Sequence, residues 1–167
     1  MDDRKPPRKQ HSHRRKHHDA RRLLRSDHKA ISALIGQAEA SRSATEKKAL
    51  VEQACVALTV LARLEEEILY PALAPSLANA TPIAHAQWRR AHIESLIAAV
   101  RGVEPDDDAD YDLNIRRLLE RVRDQGNEQH ALLPRKDRKL DLTLLGDQLA
   151  ARRRELLAGV QDFGGWD

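Results

Sequence analysis

Apolar residues in this chain recur at three- and four-residue spacing over long stretches, and that period commits it to helices packed face to face. Leu24, His28, Ile31, Ile35 and Ala38 form one such stripe, preceded by Asp19 as an N-cap, so a first helix is expected from Asp19 to Ala40. A second begins at Ser43, where "SATE" reads as a capping box, and carries Leu50, Ala54, Leu58, Leu61, Glu65, Ile68 and Ala72 on one face. Thr81 and Pro82 open a third helix that reaches about Val100, with Trp88, His92, Leu96 and Ala99 as its stripe. The acidic "GVEPDDDADYD" reads as a connection. Beyond it Leu118, Leu119, Val122, Leu132 and Leu133 mark a fourth helix ending at Pro134, weakened by Gly126 and Asn127, and Leu144, Leu145, Leu149, Leu156 and Leu157 mark a fifth from Asp141 to about Ala158.

Composition agrees with an all-α chain: aromatic residues make up 3% of the sequence, and Gly and Pro number only seven each. Its 167 residues suit one domain, expected over 19–160 as an antiparallel four-helix bundle with an additional C-terminal helix packed across it. Residues 161–167 are read as a C-terminal tail. At the other end, residues 1–25 hold ten Lys or Arg against three Asp, so the overall charge of +3 conceals a basic N-terminal segment on a body that is net acidic. Residues 1–18, rich in His, lack hydrophobic periodicity and are expected to be a disordered tail able to meet an anionic partner. No apolar run approaches the roughly 20 residues of a membrane span, and the lone Cys55 excludes an intramolecular disulfide, which together suggest a soluble, cytoplasmic protein.

The stretch "LARLEEEILYPAL" places three glutamates inside an apolar helical segment. Glu65 falls on the buried stripe, whereas Glu66 and Glu67 point away. His28 and His92 occupy the stripes of the first and third helices. Imidazole and carboxylate groups that converge from facing helices can share a cation, which offsets the cost of burying the carboxylate. No Gly-rich phosphate loop, cysteine pair or nucleophile and base pairing accompanies them.

"LLRSDHKAISALI" around His28, "EEEILYPAL" from Glu65, "AHIESLIAAV" around His92 and the closing "LGDQLAARRRELLA" resemble the hemerythrin-like HHE cation-binding domains over roughly residues 20–160. That resemblance implies an antiparallel four-helix bundle with a non-haem di-iron centre, and a role in binding or sensing oxygen, peroxide or iron. It implies a His from the first helix, H-x-x-x-E from the second, a His from the third and H-x-x-x-E from the fourth. His28, Glu65 and His92 fit. Leu61 stands where the second helix should supply His. On the fourth helix one register puts Asp124 and Glu128 at the ligand positions and the other Gln125 and Gln129; helical geometry favours the glutamines, and a distortion at Gly126 would be needed to turn Glu128 inward. The candidate metal set is therefore His28, Glu65, His92 and Glu128, holding one non-haem iron or none rather than two. A metal-free interaction or regulatory module on the same scaffold is the alternative. His85 and His130 are expected at the surface.

Overall fold

The computed structural model describes residues 19–103, 108–133 and 140–163, and every long element among them is a helix. Helix α1 spans Ala20–Ala40, and the Asp19 side chain accepts from the Arg22 amide at 3.1 Å, as an N-cap should. Helix α2 runs Ala44–Leu64, then through a π-helical turn, Glu65–Leu69, and a further α turn, Tyr70–Leu73, into a short 3-10 turn, Ala74–Ser76. Helices α3, Thr81–Arg101, α4, Asp108–Leu132, and α5, Leu142–Phe163, complete the chain. The expected tail at 1–18, Pro134 and the last residues from 164 lie outside the described residues.

Cross-helix pairs give the directions. Arg21 donates to the Leu133 carbonyl while His28 packs on Gly126, so α1 and α4 run antiparallel. Glu66 pairs with Arg90 and Glu52 with Arg101, which makes α2 and α3 antiparallel as well. Lys47 meets Asp112 at 2.7 Å and Glu65 meets Gln125, so α2 and α4 are the parallel diagonal of the bundle. Helix α5 lies across the outer face of α1 and α2, tied there by Arg153 to Asp27 and by Arg152 to Glu67. The four-helix bundle with an added helix is as the periodicity predicts. Among the described residues, no helix is long and apolar enough to cross a membrane.

Four local expectations need correction. The acidic connection is shorter than read, because Asp108 to Asp112 already belong to α4: carboxylates favour a helix N-terminus, Tyr111 is buried and Asp112 has Lys47 as partner. The buried face of α3 is Ala86, Ile93, Ile97 and Val100, about one residue out of phase with the expected stripe, leaving Trp88 67% exposed. Beyond Glu65 the stripe of α2 shifts by one residue, from Ile68 and Ala72 to Leu69 and Leu73, since the π turn inserts an extra residue per turn. Helix α5 continues past Ala158 to Phe163, into the expected tail. The first stripe is buried as predicted.

Candidate functional site

Glu65 is fully buried at the middle of the bundle. Its carboxylate accepts hydrogen bonds from the Tyr70 hydroxyl at 2.9 Å, from the Gln125 amide at 3.0 and 3.2 Å, and from the Gln129 amide. The two glutamines lie one α turn apart on α4, both buried. Tyr70 is five residues beyond Glu65, a separation that would face away in an α-helix. The π turn brings it back: its amide closes on the Glu65 carbonyl and its hydroxyl reaches the Glu65 side chain. Pro71 explains the turn, since it has no N–H to offer the carbonyl of Glu67 and its ring would strike that carbonyl in a regular helix.

Burial dominates the electrostatics. Desolvation pushes the Glu65 carboxyl from 4.5 up to about 7, against the hydrogen bonds from Tyr70 and Gln125, the charge of Arg90 and the bond from Gln129, all of which favour the anion. Tyr70 is raised by its own burial and by Glu65, so its hydroxyl remains a donor. A cavity of about 10 Å³, the size of a single water, lies beside this cluster and is also lined by Arg89.

His28, on α1, is buried with its Nδ1 bonded to the Leu24 carbonyl at 2.9 Å. That bond makes Nδ1 the protonated nitrogen and leaves the lone pair on Nε2, which has no partner. Burial holds the imidazole below its usual pKa, opposed by the bond to Leu24. The ring lies on Gly126, where an added Cβ would sit 3.1 Å from Cδ2 and 3.2 Å from Cγ. The glycine thus provides the seat for the imidazole and does not break the helix. Gly126→Leu is expected to lower stability by about 1–3 kcal/mol by forcing the ring off its carbonyl. Urea unfolding checks this, and an unchanged midpoint would mean that the ring has room to move.

The other expected ligands lie elsewhere. His92 is exposed and packs edge-on against Trp88 at 6.0 Å between ring centroids, because the buried face of α3 is rotated away from it. Glu128 points outward, paired with Arg89 and lying 3.8 Å from Arg121, and no distortion at Gly126 turns it inward. The stripe register on α4, which places Gln125 and Gln129 inside, is the one adopted. Leu61 is buried one turn before Glu65. His85 is exposed, and His130 half-buried. Among the described residues, no three His, Cys, Asp or Glu side chains gather as a metal-binding group. Sequence reasoning missed Tyr70 as a partner of Glu65; the signal was Pro71, which marks the turn that delivers it.

Comparison with solved structures finds a Hemerythrin HHE cation binding domain-containing protein from Mycobacterium kansasii, whose crystal structure is similar with a TM-score of 0.70 at 19% identity, over 84% of this chain and 88% of that one. No curated protein matches. Residues 19–134 match the Hemerythrin HHE cation binding domain. With more than half of its length matched, and with the bundle that the likeness shows, the chain belongs to the hemerythrin HHE cation-binding family.

Proposed function

We propose that the core binds a single divalent cation, non-haem iron by family habit, through an incomplete ligand set of His28 and Glu65, with the amide oxygens of Gln125 and Gln129 in support. The observation that carries this reading is an excess of buried lone pairs: Gln125 Oε1 and Gln129 Oε1 lack partners on the side chains that bond the buried Glu65 carboxylate, and His28 Nε2 lacks one where its ring packs on Gly126, next to Gln125 in the chain. Acceptors in excess call for a cation, and His28 is already fixed in the tautomer a metal requires by a second bond of the kind that orients ligating histidines. A half-turn of either glutamine amide exchanges its nitrogen for its oxygen, converting a donor to Glu65 into a neutral ligand. Non-haem iron held with open positions supplies oxygen or peroxide chemistry. This chain's residues contribute the orientation of the imidazole, the apolar wall at Leu61 and a carboxylate whose charge is stabilised by its own donors.

A second reading, the metal-free scaffold, is favoured by the completeness of the bonds to Glu65: Tyr70, Gln125 and Gln129 already surround it without any cation. Elemental analysis after anaerobic iron loading separates the two. About one iron per chain, lost in His28→Leu, is the expected result. About two per chain would refute the incomplete set, and none would leave the hydrogen-bonded scaffold.

A further inference from the structure

Helices α2 and α3 barely meet, and between them opens a cavity of about 660 Å³, a volume ordinary for a small-molecule site. Its apolar wall is formed by Leu58 and Leu61 of α2 and Ile93 and Ile97 of α3, and Gln125 of α4 also lines it. Glu66 to Arg90 and Glu52 to Arg101 tie the two helices, the second as a two-pronged pair at 3.0 and 2.5 Å. Arg90 and Arg101 are eleven residues apart on α3, so the cleft between these ties is elongated, roughly 16 Å along the helix.

The charges around this cleft are unevenly committed. Arg63, Arg90 and Arg101 line it with Glu66 and Glu94, and Glu52, which holds Arg101, makes three charges of each sign, so what distinguishes the arginines is how tightly each is held. Arg90 is held by Glu66 and approached by Glu94 at 3.6 Å, and Arg101 is held by Glu52. Among the described residues Arg63 pairs with Glu67 alone, four residues along its own helix at 3.7 Å, and Glu67 is drawn at 2.7 Å to Arg152 of α5. With 61% of its side chain exposed, Arg63 gains little from that contact and can turn to an incoming anion.

An elongated apolar wall with one uncommitted guanidinium at its edge matches a molecule with a hydrocarbon chain and a single anionic head. We propose that the cleft between α2 and α3 binds an aliphatic carboxylate, its chain along Leu58, Leu61, Ile93 and Ile97 and its head on Arg63. The site requires no metal; Leu61 and Gln125 border both it and the Glu65 cluster, but Arg63, which takes the head, belongs to the cleft alone.

Isothermal titration of the full chain with decanoate, kept below its micelle concentration and with a chelator present, tests this. Saturable binding is expected, weakened about tenfold or more by Arg63→Ala, as befits a lost charge-assisted pair. Ala62→Phe and Ala98→Phe fill the cleft from positions that are not fully buried, and each should abolish binding with the melting temperature maintained. Absence of saturable heat from the unmutated chain overturns the proposal, as does undiminished binding in both filled variants. Equal affinity for decanol, or for decanoate after Arg63→Ala, would overturn the assignment of an acid head. If sedimentation shows instead a dimer that Ala98→Phe dissociates, the cleft is an interface between copies and the proposal fails.

Discussion

At pH 7 and above, Glu65→Ala is expected to lower the stability of the metal-free protein by about 3–5 kcal/mol, whereas Glu65→Gln should leave it within about 1 kcal/mol of the unmutated chain. Alanine removes the acceptor shared by Tyr70, Gln125 and Gln129 and leaves three buried donors facing a hole. Glutamine keeps the volume and one acceptor oxygen, and its new N–H groups can be received by the unpartnered oxygens of Gln125 and Gln129. Urea unfolding with a chelator present gives both numbers. Equal losses in the two variants would show that the negative charge itself, through Arg90, holds the bundle together.

Acidity provides the second test, in the same pair of proteins. Burial raises the Glu65 carboxyl from 4.5 to about 7, so between those values the folded chain holds a proton that the unfolded chain has released. Unfolding therefore releases a proton in that window, and the contribution of Glu65 is fully present below about pH 4.5 and is lost as pH rises to about 7. The advantage of the unmutated chain over the Glu65→Gln variant should fall by ~3 kcal/mol across the window and stay level above it. His28, whose pKa is lowered, works in the opposite direction, its stability being lost as pH falls below its unfolded value near 6.5. Because both proteins carry His28, its effect cancels in the difference. A difference that is flat with pH would mean that Glu65 titrates in place as it would in water.

The bundle was legible because the first, second and fourth helices repeat apolar residues at the period of a helix face, and Leu24, Ile31, Leu58, Leu118 and Val122 are buried where that period puts them. Helix α3 was not. Its Ile83, Trp88, Leu96 and Ile97 surround the axis without a clear seam, so a stripe through Trp88 and His92 looked as good as the one through Ile93 and Ile97 that is buried. Misreading that phase moved His92 from the core to the surface. Periodicity placed Glu65 and the two glutamines inside but not their hydrogen bonds to one another, because spacing along a helix says nothing of contact across the diagonal of a bundle. The outward course of Glu128 follows from the same stripe register; what the period did not give was its partner, because Arg89 belongs to the helix whose phase was misjudged.

The π turn makes this site sensitive to chain length in a way that point substitutions do not reveal. The π turn absorbs one surplus residue between Glu65 and Tyr70 and so keeps the hydroxyl on the face of the carboxylate. Deleting a single residue there, Glu66 or Glu67, and relaxing the segment into a regular helix would leave Tyr70 four residues from Glu65, still on its face, with Leu69 and Leu73 still on the buried stripe. Adding a residue would instead swing everything after it by about a quarter turn relative to Glu65 and turn Leu69 and Leu73 out together. Through this segment, a frame-preserving gain of one codon is a more drastic change than a loss of one, and alignments that close the gap at this point will pair the wrong faces of the helix.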